Sequence, residues 1–172
     1  MAETKMTQLV CFDDHRTFTE DIRKRFSDSA RYNVLSFFTQ QDFIDHFSKE
    51  KENKLCKVAI IGVPDSPDLF EMIEQMTIEV KKFDPKTGIV LLVPADKMEA
   101  LKKKVKLNID AYIPRNTNAV LRIHNAVKKL ISEHNIIIFR KRRNFSLYVL
   151  LAFLFVLALV FLISFLKLPQ YF

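Results

Sequence analysis

The sequence predicts an α/β domain, a five-stranded parallel sheet with helices on both faces, followed by one C-terminal transmembrane helix. Three observations carry this reading. Roughly the first 135 residues alternate short apolar runs with segments whose apolar residues recur at helical spacing. Five such pairs follow one another, the pattern of repeated strand–helix units joined by right-handed crossovers. The chain then enters a long run, Phe145 to Leu166, that has no charge, glycine or proline.

Each element has its own signal. Gln8 to Phe12 (QLVCF) reads as a buried strand, and Phe18, Ile22 and Phe26 at spacing four mark the first helix. Tyr32 to Phe38 is the second strand. Thr39 then offers an N-cap, with Asp42 three residues on, to a helix carrying Phe43, Ile44 and Phe47. After the polar connection Lys51 to Lys54, Val58 to Val63 (VAIIGV) is continuous in apolarity, as a central strand should be. Ser66-Pro67 is a cap and first-turn pair for the third helix. Its stripe of Leu69, Ile73, Met76, Val80 and Phe83 is core packing rather than a cofactor box, and Asp84-Pro85 closes it. Ile89 to Val93 is the fourth strand. Met98, Leu101 and Val105 mark the fourth helix, with Lys102, Lys103, Lys104 and Lys106 on its other face. Ile109 to Ile113 is the fifth strand, and Val120, Ile123, Val127, Leu130 and Ile131 line the fifth helix.

As a helix, the run Phe145 to Leu166 would span about 33 Å, enough for a hydrocarbon core of about 30 Å. A domain of this size could not cover such a helix on all sides, so a buried soluble helix is the weaker reading. Arg140, Lys141, Arg142 and Arg143 precede the run and Lys167 follows it. The positive-inside bias therefore puts the N-terminal domain in the cytoplasm. The expected organisation is a domain over residues 1–134, a basic juxtamembrane linker over 135–144, a single span over 145–166 and a short outside tail over 167–172, a tail-anchored protein. The N-terminus lacks the apolar core of a secretory signal peptide. Two arrangements of the linker fit: the fifth helix runs on into the span, or Ile136 to Phe139 packs under the domain as a separate turn.

Charge and composition exclude several classes. The chain carries 27 basic and 20 acidic residues, and all the acidic ones lie before residue 140. Five of the basic residues lie at Arg140 to Arg143 and Lys167, which leaves the body at 22 against 20, a net of +2. The excess belongs to the juxtamembrane cluster and does not argue for nucleic-acid binding. Gly62 and Gly88 are the only glycines, so no glycine-rich phosphate loop can be built. Cys11 and Cys56 are too few for a disulfide framework and read as buried thiols. In neighbouring strands they would be offset by about five residues, roughly 16 Å, beyond disulfide reach. His15, His46, His124 and His134 form no metal-ligand spacing.

In parallel α/β sheets the chemistry gathers outside the carboxyl ends of the strands. Three segments there matter: LVCFDD (Leu9 to Asp14), KVAIIGVPDSP at the end of the third strand, and DAYIPRN (Asp110 to Asn116). On these the sequence resembles the receiver domain of two-component response regulators, over about residues 6 to 133. The resemblance implies a flavodoxin-like sheet of order 2-1-3-4-5. It also implies phosphoryl transfer onto a strand-three aspartate, with an acidic pair for Mg²⁺ and a lysine and a hydroxyl steadying the phosphoryl oxygens. Asp13 and Asp14 match the acidic pair. Gly62, however, falls at the nucleophile's place, Val93 at the hydroxyl's and Arg115 at the lysine's, with Asn116 where proline normally follows. Glycine has nothing to phosphorylate and valine cannot bond a phosphoryl group, so the resemblance is to a degenerate, or pseudo-, receiver. It implies no enzyme and no cofactor beyond a weak, vestigial Mg²⁺ site at Asp13 and Asp14. Capping of the first helix is the plainer role for those two residues. Asp65 is the one displaced carboxylate that could serve a receiver responding to phosphorylation, and starting the third helix is its plainer role.

With the switch silent, a docking surface remains. In receivers the face made by the fourth helix, fifth strand and fifth helix meets partners. Here it would present Lys102, Lys103, Lys104, Lys106, Arg122, Lys128 and Lys129 to an acidic protein or to anionic lipid. The expectation is a non-catalytic scaffold or adaptor subunit at the bacterial inner membrane. Its partners would be other membrane or cytosolic proteins of a complex and membrane lipid, not nucleic acid. A homo-oligomer stays open.

Overall fold

The structure is a computed structural model that describes residues 6–50, 55–63, 69–104 and 109–167. In chain order it contains β1 (Thr7–Phe12), α1 (Arg16–Arg25), β2 (Tyr32–Phe37), α2 (Gln40–Lys49), β3 (Cys56–Gly62), α3 (Leu69–Phe83), β4 (Gly88–Val93), α4 (Met98–Lys104), β5 (Ala111–Pro114) and α5 (Ala119–Lys167). The strands form one parallel sheet in the order β2-β1-β3-β4-β5.

The alternation of strand side chains builds two cores. Val10, Phe12, Ala59, Ile61, Ile89, Leu91 and Val93 point to one face, where they pack on Phe43 and Phe47 of α2, Ile73, Met76 and Val80 of α3 and Leu101 of α4. Leu9, Cys11, Val58, Ile60, Val90 and Leu92 point to the other, against Ile22 of α1 and Ile123 and Val127 of α5. β1, β3 and β4 are buried along their whole length, which is why they are mostly apolar, with Thr7, Gln8 and Lys57 as buried polar members near the strand starts. The edge strand β2 is half-buried.

Several strand boundaries differ from the sequence reading by one or two residues, and local contacts account for some of them. β3 starts at Cys56 because the sheet also buries Lys57, whose Nζ donates to the carbonyl of Glu50 at 2.7 Å and pairs with Asp84 at 3.5 Å. β5 starts at Ala111 because the Asp110 carboxylate accepts the amide of Ile89 at 2.7 Å and so takes the place of a ladder bond. The strand extends to Pro114, which an edge strand tolerates. Phe38 lies beyond β2 with its ring half exposed, 5.5 Å from the Arg16 guanidinium. The expected cap of α2 is present: the Asp42 amide donates to Thr39 Oγ1 at 3.2 Å. The expected connection 51–54, the cap Ser66-Pro67 and Val105 lie outside the described residues.

Cys56 pairs in register with Thr7, so Cys11 lies four residues further along the sheet. That offset of about 13 Å also excludes a disulfide, and both thiols are free and buried.

The chain divides into two compact units, Met1–Ser132 and Glu133–Phe172. α5 is assigned as helix from Ala119 to Lys167, so Ile136 to Phe139 do not form a separate turn. Within the second unit, Arg143–Ile163, 21 residues, is long and apolar enough to cross a membrane, and its side chains are exposed.

Candidate functional site

The carboxyl ends of β1, β3, β4 and β5 lie side by side and bring Asp13, Gly62, Val93 and Arg115 to one edge of the sheet. Phe12 is in register with Ile61, so Asp13 emerges beside Gly62. A Cβ built on Gly62 would overlap Asp13 Oδ2 and lie 2.5 Å from Asp13 Cγ. The glycine is needed here for space: the Asp13 carboxylate fills the volume that a side chain on β3 would use.

That carboxylate is held by the Arg115 guanidinium and by the main chain of His15. Its side chain is only 1% exposed. Arg115 Nη2 donates to Oδ2 at 3.0 Å, and Nη1 lies 3.4 Å from Oδ1. The main-chain amide of His15 donates to Oδ1 at 2.8 Å. The Arg115 guanidinium also lies 5.9 Å from the ring centre of Phe18, which confines it on its other side. Burial pushes the Asp13 carboxyl above the ordinary carboxylate range, against the lowering pull of the His15 amide and the Arg115 charge.

Asp14 and His15 complete the cluster. His15 Nδ1 lies 2.5 Å from Asp14 Oδ1, 3.2 Å from Asp13 Oδ1 and 3.0 Å from Arg115 Nη1. A nitrogen cannot donate to Asp14 and accept from Arg115 at once; the shorter contact assigns the proton to Nδ1, donating to Asp14. The exposed Asp14 carboxyl is lowered overall: burial raises it, and the hydrogen bonds with His15 and Asp13 together with the charge of His15 outweigh that. The expected capping role does not hold. His15, not an aspartate, occupies the N-cap of α1 and makes no side-chain cap bond, while Asp13 accepts from His15 itself, two residues on.

Asp13, Asp14 and His15 place three ligand atoms within 4.8 Å of one another. For the Mg²⁺ that the resemblance implies, the fit is poor. Asp13 meets a guanidinium where a cation would sit, Gly62 supplies no third carboxylate, and an imidazole is a nitrogen donor beside an oxygen-seeking ion. Val93 is fully buried in the core against α2, α3 and α4 and presents no hydroxyl. Arg115 is in its expected place, its amide bonded to the Val93 carbonyl at 2.8 Å. Sequence reasoning missed His15 and Phe18 as parts of this site; the adjacency Asp-Asp-His was the available signal for the first. Asp65 lies outside the described residues. A shallow cleft of about 460 Å³, between Ser36–Thr39 and α2 at the β2 edge, is not lined by these groups.

The residues of the expected basic face lie on two helices. Lys102 and Lys103 are exposed on α4, and Arg122, Lys128 and Lys129 are exposed on α5, on the opposite face of the sheet. Lys128 and Arg25 of α1 both act on His124, after its burial, to lower it. Lys106 and the side chain of Lys104 lie outside the described residues, as do the side chains of Lys141 and Arg142; Arg140 and Arg143 are exposed.

No family model and no curated protein matches the chain in sequence. Solved structures match it in fold. A response regulator receiver domain protein from Clostridium thermocellum aligns with a TM-score of 0.60 at 16% identity, covering 77% of this chain and 99% of that one. A structure described as an adenylate cyclase from Rhodopirellula baltica aligns with a TM-score of 0.60 at 8% identity, covering 78% and 94%. The isolated REC domain of RcsB from Salmonella enterica serovar Typhimurium, with phosphomimetic BeF3−, aligns with a TM-score of 0.54 at 18% identity, covering 72% and 89%. At these identities the likeness is one of fold: the domain has the receiver fold, with order 2-1-3-4-5, and a C-terminal helix that is a candidate membrane span.

Proposed function

We propose that this receiver-fold chain is a membrane-anchored pseudo-receiver without phosphoryl-transfer chemistry. It serves as a scaffold or adaptor subunit that recruits cytosolic or membrane proteins into a complex at the bacterial inner membrane. The observation that carries the reading is the relation of Asp13 to Gly62 and Arg115. The strand-three position that would extend an acceptor carboxylate is a glycine, its space is filled by Asp13, and Arg115 neutralises that group in place. A phosphoryl group needs an acceptor oxygen, a metal and room, and this arrangement argues against all three. On this reading the domain over residues 1–134 is cytoplasmic, the basic segment 135–144 lies at the inner leaflet and the chain crosses the membrane once. Partners meet the exposed lysines of α4, Lys102 and Lys103, with Arg122 and Lys129 of α5 as a second contact.

The test is incubation of the full-length protein in detergent with acetyl phosphate and Mg²⁺, followed by intact-mass measurement. The expected result is an unmodified chain. A stoichiometric phosphoryl adduct that disappears in Asp65→Asn would overturn the reading and make the chain a phosphorylation-responsive receiver. Affinity purification from solubilised membranes should recover defined partners, and their loss on Lys102→Glu/Lys103→Glu would locate the docking face.

A further inference from the structure

Helices α1 and α3 and the domain part of α5 all return to the sheet edge where the strands begin, and specific contacts fix this. Leu130 packs against Gly88, the first residue of β4, so closely that a Cβ there would lie 2.7 Å from Leu130 Cδ1. The ring of Phe26, at the end of α1, lies 5.0 Å from that of Tyr32, the first residue of β2, and 5.2 Å from that of His124 on α5. Lys81, near the end of α3, donates to the carbonyl of Thr87 at 2.7 Å, just before β4.

The carboxylates of this edge are engaged, and its cations are in excess. Asp28 pairs with Arg31 at 3.3 Å, Asp84 with the buried Lys57 at 3.5 Å and Asp110 with Lys81 at 3.7 Å. Arg23, Lys24 and Arg25 in the last turn of α1, Lys82 and Lys86 around the end of α3, and Lys128 on α5 are all exposed. Among the described residues none of these six makes an ion pair, and Asp21 and Glu79, one turn further up, do not reach them. The accumulated positive charge is felt at His124: burial first, then Arg25 and Lys128, hold its imidazole below the ordinary range. The opposite edge has the reverse character, with Asp14, Asp42, Asp96 and Glu99 exposed.

We propose that the strand-start edge of the domain binds the anionic headgroups of a phospholipid bilayer through Arg23, Lys24, Arg25, Lys82, Lys86 and Lys128. Two features favour a bilayer over nucleic acid or an acidic protein. The chain leaves the compact domain at this edge, after Ser132, and only residues 133–142 separate it from the span candidate Arg143–Ile163. A tether that short keeps the headgroups at high effective concentration, so weak individual contacts suffice. The six cations also sit on three separate elements around the end of the sheet, on both of its faces, which suits a planar array of charges better than a groove or a single strand of phosphates. The attraction is electrostatic and is screened by salt.

The test uses the full-length chain in nanodiscs of phosphatidylcholine alone or with phosphatidylglycerol, and follows acylation of individual lysines by mass spectrometry. Lys24, Lys82, Lys86 and Lys128 should react roughly fivefold more slowly in the anionic discs, a difference that high salt abolishes. Lys102 and Lys103 should react equally in both. Arg23→Glu/Arg25→Glu should restore fast labelling of Lys82, Lys86 and Lys128. Equal rates in the two discs would overturn the proposal, as would equal slowing at Lys102 and Lys103. Protection of the same lysines by duplex DNA or polyglutamate in neutral discs, as strong as that by phosphatidylglycerol, would reassign the edge to that class of partner.

Discussion

The guanidinium of Arg115 closes on the carboxylate of Asp13, 3.0 Å away and 102 residues distant in the chain. The anion it meets is almost wholly buried, while the arginine is one quarter exposed. Removing the arginine leaves a buried charge without its counterion, so Arg115→Met should destabilise the domain by about 2–4 kcal/mol, nearer the lower figure given the exposure. Adding Asp13→Asn should restore much of the loss. Thermal unfolding of the two single variants and the double variant in detergent checks this; strictly additive effects would mean that the pair is not coupled.

Gly62→Ala should cost about 1–3 kcal/mol, because the new methyl must displace the Asp13 carboxylate and break its bond to Arg115. Gly62→Asp should cost more, since it sets a second carboxylate against the first. A Gly62→Ala protein as stable as the parent would show that Asp13 has somewhere else to go.

Stability should fall on mild acidification. Burial, assisted by Lys57 and opposed by Glu50, holds His46 below its ordinary value of 6.5, and burial with Arg25 and Lys128 does the same for His124. A lowered histidine takes up its proton more readily in the unfolded chain. Its contribution is therefore full above 6.5 and is lost as pH falls from there through the lower folded value. The unfolding midpoint should drop between about pH 7 and pH 5. The fall should be smaller in His46→Gln, which keeps an acceptor for Gln8, 3.3 Å from His46 Nε2. A midpoint flat across that range would contradict the assignment.

Cys11 is pushed up to about 12 and Cys56 to about 11, in each case chiefly by burial. Maleimide at neutral pH should leave both thiols unmodified in the folded protein and label both after denaturation, as read by intact mass. Rapid labelling of either in the native state would mean that the sheet opens around it.

Deleting residues 143–167 should move the protein from a carbonate-resistant membrane fraction to the soluble fraction. Retention of the truncated chain on membranes at high salt would place the anchor elsewhere.

The sheet was legible because β1, β3 and β4 are buried on both faces and are apolar over most of their length. Lys57 hid the start of β3, since nothing in its local sequence announces the Glu50 carbonyl and the Asp84 carboxylate that satisfy it. Asp110 hid the start of β5 for a similar reason, its carboxylate standing in for backbone. At the strand ends, Gly62, Val93 and Arg115 could be placed by position alone. That Asp13 turns into the space left by Gly62 could not, because this depends on a partner far along the chain.

Leu130 occupies the hollow over Gly88, two residues before the compact domain ends at Ser132. Tension on the chain beyond that point would have to draw Leu130 out of that hollow before it could reach β5, the edge strand from which α5 continues. The packed end of α5 therefore shields an outer strand, which could otherwise be peeled away bond by bond, from a pull on the C-terminal chain.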